Sequence, residues 1–252
     1  MDFNFIVDKK FLAAQIIYRS FLNENFQMLE NNILKNNSFE CENIKDLVEQ
    51  RKISHIYDSK FDDFFNSLIN TNEFKRAYEE TLNYLKLIEI TWGKNKRIVN
   101  KYLRETLRLK NINICIDSYI THPKAKAGYS DMPNTIRWGH YKGLEEPIYN
   151  IVYLVHEGLH CLLPYKEGST FEEKEIHHSI IELISDNELY SKLSDENMYD
   201  NYQGHDRLKF YKQEILEDWF NYLNFNGDFS SMDIKGFIDY CNRKYSNIKN
   251  LK

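Results

Sequence analysis

His156, Glu157 and His160 stand in the order H-E-x-x-H inside "IYNIVYLVHEGLHCLLPY", residues 148–165. Residues four apart on a helix lie one above the other. Two imidazoles at that spacing can therefore turn toward one Zn²⁺ at about 2.0–2.1 Å from each. Glu157, one step round, can reach a water on such an ion and act as general base. Tyr149, Tyr153, His156 and His160 share a stripe, and Ile151, Val152, Val155, Leu159 and Leu162 cover most of the rest. Such a helix is largely buried, so its two histidines and carboxylate need partners. Gly158 costs a helix about 1 kcal/mol relative to alanine, which points to close packing or access at that position.

A catalytic zinc takes three protein ligands and keeps one position open. The metzincin extension requires Gly at 163 and His at 166; Leu163 and Lys166 exclude it. Downstream, "STFEEKEIHHSIIELISDNELYSKL" is expected to form a second long helix, opened by a capping box of Thr170 with Glu173. His178, Glu182 and Asp186 follow at i, i+4 and i+8, set among Ile180, Ile181, Leu183 and Ile184. A carboxylate in that apolar company needs a cation or a metal. Glu182 is the expected third ligand, with His178 and Glu188 as its rivals. Asp186 is the natural acceptor for the second ring nitrogen of a zinc-bound histidine.

With its downstream Glu182-x-x-Ser185-Asp186, this pattern resembles the gluzincin metallopeptidases, the thermolysin-like branch in particular. The match spans residues 156–186. The resemblance implies His156, His160 and Glu182 as zinc ligands, Glu157 as base and Asp186 as support. It also implies an active-site helix below a small twisted sheet whose edge strand binds extended peptide, a strand placed at "NTIRWGHY".

Zinc-assisted peptide hydrolysis builds up an oxyanion that a second donor commonly steadies. Tyr199, Tyr202, His205 and Arg207, in "MYDNYQGHDRLKFY", are the downstream candidates, His205 and Tyr202 ahead of the others; Tyr165 is a weaker one. With 18 tyrosines in the chain, any single one is more often a packing residue. His55, His122, His140 and His177 read as ordinary histidines.

The elements that position these groups follow from periodicity. The first hundred residues read as helices, with Asn72 as an N-cap and "TWGKN" (residues 91–95) as a break. "NINICIDSYI" alternates Ile112, Ile114 and Ile116 against Asn113, Cys115 and Asp117, a strand period. "THPKAKAGYSDMP" reads as a loop, "NTIRWGHY" as a second short strand, and the remainder as helix. Pro147 suits a first helical turn and Pro164 marks the far end. The expected fold is α+β and predominantly helical. An N-terminal helical region, 1–108, would join a zincin-like catalytic region, 109–252, either separately or as one compact unit.

Bulk properties exclude several classes. The chain has 252 residues, 42% hydrophobic and 28% charged, an ordinary globular composition. A net charge of −5 without a dense basic cluster argues against nucleic acid as partner. The four cysteines form no C-x-x-C pair and are expected to be reduced thiols. "MDFNFIVDKKFLAAQ" lacks the pattern of a secretory leader, and no stretch is apolar enough to span a membrane, so a cytoplasmic location is expected. The leading expectation is a zinc-dependent peptidase acting on a peptide or a flexible protein segment. The alternative is a non-catalytic module that keeps a zincin scaffold to bind a peptide or a protein.

Overall fold

The computed structural model describes residues 1–23, 28–29, 31–194 and 204–246. Strand β1 (Asp2–Ile6) is followed by helices α1 (Lys9–Leu22), α2 (Asn31–Asn36), α3 (Ser38–Glu49), α4 (Asp62–Ile69) and α5 (Asn72–Leu107). Strands β2 (Cys115–Ile120), β3 (Ala127–Met132) and β4 (Thr135–Gly139) come next. The remainder is helical: α6 (Lys142–Glu145), α7 (Pro147–Leu162), α8 (Phe171–Glu182), α9 (Tyr190–Ser194), α10 (Lys209–Leu223) and α11 (Ile234–Tyr245). Helix predominates, with one mixed four-stranded sheet, as the α+β expectation has it. Among the described residues no helix is long and apolar enough to cross a membrane.

The chain forms two compact units. One comprises Phe3–Thr91 and Ile116–Asn150; the other comprises Met1–Asp2, Trp92–Cys115 and Ile151–Lys252. The first holds most of the sheet and a core built on Leu12, Ile16, Ile17, Ile44, Phe65 and Phe74. Sheet order is β1-β2-β4-β3, with β4 parallel to β2 and antiparallel to β3.

That order corrects three expectations. "NTIRWGHY" does hold a strand, but β4 lies inside the sheet and the edges are β1 and β3. Its central position shows in the burial of Ile136, Arg137 and Trp138. It shows again at Gly139, where a Cβ would lie 2.8 Å from the Thr121 carbonyl. The stretch read as a loop contains β3, which turns into β4 through Pro133 and Asn134, the latter at φ 58°. Asparagine tolerates that left-handed conformation. The helical reading of the N-terminus overlooked β1, where period two is carried only by buried Phe3 beside exposed Asn4.

Helix α5 runs unbroken for 36 residues through "TWGKN". One glycine costs about 1 kcal/mol, too little to interrupt a helix of this length. Its N-cap is Thr71 and not Asn72: the Thr71 hydroxyl accepts the Phe74 N–H at 3.2 Å, and Asn72 is already helical.

In the second unit, α8 opens with the capping box expected of Thr170 and Glu173. It packs against α10 and α11. At Leu183 the helix loosens into a π-helical segment that lasts to Leu189 before α9 resumes. The Tyr102 hydroxyl donates to the Ile184 carbonyl inside that segment at 2.7 Å. Trp219, Tyr222 and Phe237 form the aromatic centre of the unit, and the Arg108 guanidinium ties the carbonyls of Phe229, Met232 and Tyr222 together.

Candidate metal centre

The histidine cluster and the groups around it belong to the second unit. Helix α7 begins at Pro147, as a first-turn proline should, and carries His156, Glu157 and His160. His156 is 2% exposed. The ring centroids of His156 and His160 are 5.2 Å apart, as expected for imidazoles one turn apart on one face. Helix α8 supplies His178, whose centroid lies 4.7 Å from that of His160. One nitrogen from each of His156, His160 and His178 falls within 4.8 Å of the others.

The pair His156–His178 is the most informative. Their Nε2 atoms are 3.2 Å apart. Two imidazoles sharing a tetrahedral zinc at 2.0–2.1 Å per bond hold their nitrogens about 3.3–3.4 Å apart. On the other side of the His156 ring, Nδ1 lies 3.2 Å from Asp186 Oδ1. A carboxylate only accepts, so Nδ1 carries the proton and Nε2 is directed at His178. The Ser185 hydroxyl donates to the same Asp186 oxygen at 2.8 Å and fixes its position. A carboxylate on the second ring nitrogen is the kind of outer support that a metal-binding histidine takes, and Asp186 is the residue brought to that place.

Charge and burial divide the three histidines. Burial alone lowers the pKa of His156, but Asp186, with Glu157 and Glu182 behind it, raises it to about 9. Burial and the neighbouring imidazoles lower His160 to about 2 and push His178 down strongly as well. Burial thus favours the neutral imidazole at two of the three, the form in which a ring nitrogen can offer a lone pair.

Glu182 belongs to a second group, with His178 and His205. It is fully buried and already engaged. Its Oε1 accepts the His205 backbone N–H at 2.8 Å and faces His205 Nδ1 at 2.7 Å, and its Oε2 lies 3.2 Å from Lys212 Nζ. The chain reaches His205 through Gly204 at φ 100°, where a Cβ would sit 2.2 Å from Glu182 Oε2. Glycine is needed there twice, for conformation and for room.

The remaining candidates fall as follows. The His205 ring centroid is 5.0 Å from that of His178. Arg207 extends Nη2 to 3.4 Å from His178 Nδ1 and Nε to 3.5 Å from Glu175. Tyr165 packs its ring 5.8 Å from His160 and 5.0 Å from His177. Glu188 pairs with Lys192 instead of joining either histidine group. Tyr199 and Tyr202 lie outside the described residues. In the first unit, His122 bonds Glu80, and His140 stacks on Trp138.

No family model matches the sequence, and no curated protein or solved structure matches the chain. The site therefore stands on its own geometry.

Two residues escaped the sequence reading, Lys212 and Gly204. A signal for Lys212 exists: it lies on the stripe of Leu208, Ile215 and Trp219, an ammonium on a buried face that requires a counter-charge. Gly204 carries no comparable signal, because its need arises from a contact with residue 182.

Proposed function

We propose that the protein is a zinc-dependent peptidase whose ion is held by His156, His160 and His178. The 3.2 Å separation of two imidazole nitrogens, one of them oriented by Asp186, carries this reading. Three imidazoles suit zinc, and a three-histidine set leaves a position open. A zinc ion there supplies a bound water acidified toward neutral pH and an electrophile for a carbonyl oxygen.

Glu157, next to His156 on α7, takes a proton on its carboxylate from the attacking water and returns it to the leaving nitrogen. Glu182 does not enter the ligand set in this reading. It holds His205 and, through it, the segment after Gly204. His205, with Nδ1 turned to Glu182 and its side chain 52% exposed, presents its other edge to substrate; with a proton on both ring nitrogens, its Nε2–H is the donor that steadies the oxyanion. Tyr165 walls the site beside His160.

Metal analysis of purified wild type, His178→Ala, Glu182→Gln and Glu157→Gln, with cleavage of a quenched peptide library on the same samples, tests this. About one zinc per chain is expected in wild type, lost in His178→Ala and kept in Glu182→Gln. Glu157→Gln should keep zinc and lose cleavage. Zinc loss in Glu182→Gln with retention in His178→Ala would return the third ligand to Glu182. A wild type that takes up no zinc would end the metal reading.

A further inference from the structure

Arg207 stands beside the histidine cluster, two residues after the His205 that Glu182 holds. Its side chain is 53% exposed, so the guanidinium meets solvent. Nε lies 3.5 Å from an oxygen of Glu175, which is one turn before His178 on α8 and only 7% exposed in its side chain. Nη2 lies 3.4 Å from His178 Nδ1. These are the polar contacts of Arg207 among the described residues, and Nη1 takes part in neither. At 3.5 Å the ion pair is longer than a charge-assisted hydrogen bond of about 2.7–2.9 Å. Glu175 therefore anchors the guanidinium and leaves most of its five donors uncommitted.

His178 has no counterpart of Asp186. With zinc held by three histidines, the reading on which this rests, His178 offers Nε2 to the ion and keeps its proton on Nδ1. A metal-bound imidazole nearly always gives that second N–H to a carboxylate, a carbonyl or a water. Here it meets a guanidinium, which only donates. Two donors 3.4 Å apart, one of them charged, thus share a place that calls for an acceptor.

The chemistry narrows that acceptor. A water or a carbonyl brings one oxygen and no charge. A carboxylate brings two oxygens, which match the guanidinium fork, and the charge that suits it. Tyr165 faces the same region. Burial raises its pKa, Glu175 adds to the rise and Arg207 opposes it, so the phenol lies within reach of both charges. Its ring is 5.8 Å from that of His160. An exposed guanidinium thus stands beside one zinc ligand and a phenol beside another. Lys212, the other cation here, is buried against Glu182.

We propose that Arg207 is the receptor for a carboxylate on the substrate residue next to the cut, either the α-carboxylate of a last residue or the side chain of an aspartate. A group that touches a zinc ligand holds atoms close to the reacting carbonyl. An extended residue spans at most about 3.6 Å, so the carboxylate belongs to the adjacent residue. Where it is the α-carboxylate, the protein is a carboxypeptidase.

Calorimetric titration of Glu157→Gln, supplied with zinc, tests this with three probes: N-acetyl-Phe-Phe as free acid, its C-terminal amide, and N-acetyl-Phe-Asp amide. A carboxylate probe should bind at least about tenfold tighter than the Phe-Phe amide. Preference for the free acid assigns the α-carboxylate, and preference for the aspartate probe assigns the side chain. Added to this background, Arg207→Gln should abolish the advantage and leave the Phe-Phe amide unchanged, while Arg207→Lys, a point charge without the fork, should keep part of it. Should Arg207→Gln fail to fold for want of a cation beside Glu175, Arg207→Gln with Glu175→Gln carries the comparison. Equal binding of all three probes, or equal weakening of all three by Arg207→Gln, overturns the proposal. Peptide cleavage by the wild type separates the two ideas. Arg207-dependent carboxylate binding without any cleavage sinks the peptidase reading and keeps the receptor. Cleavage together with equal binding of the probes sinks the receptor alone.

Discussion

Lys212 Nζ lies 3.2 Å from Glu182 Oε2, with the two side chains 5% and 0% exposed. The ammonium answers a carboxylate that the surrounding isoleucines would otherwise leave uncompensated. Taking one partner from a buried pair costs about 3–5 kcal/mol, whereas replacing both with apolar groups is often neutral. Lys212→Met should therefore lower unfolding free energy by that amount in urea titration, and Lys212→Met with Glu182→Leu should recover much of it. A single variant as stable as wild type would mean that the pair does not hold the segment beyond Gly204.

Asp186→Asn keeps a hydrogen-bond acceptor for His156 but removes the charge. Loss of such an outer support lowers metal affinity by roughly 10–100-fold. Competition with a chromophoric chelator measures this directly. Unchanged affinity would show that His156 is oriented by its helix alone.

Proton balance gives a third expectation. In the metal-free protein His156 is raised to about 9 and is protonated at pH 7, whereas a ligand must offer a lone pair. Zinc uptake at neutral pH should release about one proton per ion, and affinity should climb with pH until about 9. The raised pKa also has a sign for folding. Its stabilisation of the metal-free protein is complete below the unfolded value of about 6.5 and is lost as pH rises through 9. Calorimetry in buffers of different ionisation enthalpy counts the proton, and Asp186→Asn should abolish the release.

Gly204→Ala meets both a left-handed backbone and a carboxylate oxygen 2.2 Å from the new Cβ. A strained residue of this kind costs about 1–3 kcal/mol. The variant should melt earlier and lose His205 from Glu182, so peptide cleavage falls more than zinc binding does. Equal losses of both would place His205 in a structural role only.

The sequence revealed the parts governed by local rules. Thr170 with Glu173 announced the start of α8, Pro147 the start of α7, and the His156–His160 spacing a shared face. Asp186 was legible because an acid among isoleucines has few reasons to be there. What stayed hidden depends on partners outside each stretch. β3 is extended because β4 pairs with it, and β4 became central because β2 takes its other side. The unbroken α5 shows how little one glycine weighs against many turns of helix. His178 and Glu182 shared one stripe, and spacing alone could not show that the carboxylate faces Lys212 while the imidazole faces His156.

The π-helical segment at Leu183–Leu189 has one more effect. It works as a phase shifter in the helix axis: everything after it is turned relative to everything before. Glu182 and Asp186 stand on opposite sides of its onset, so their four-residue interval does not correspond to one turn of regular helix. Removing Leu183 or Ile184 would leave every side chain of the cluster in the sequence. It would still swing Asp186 away from His156.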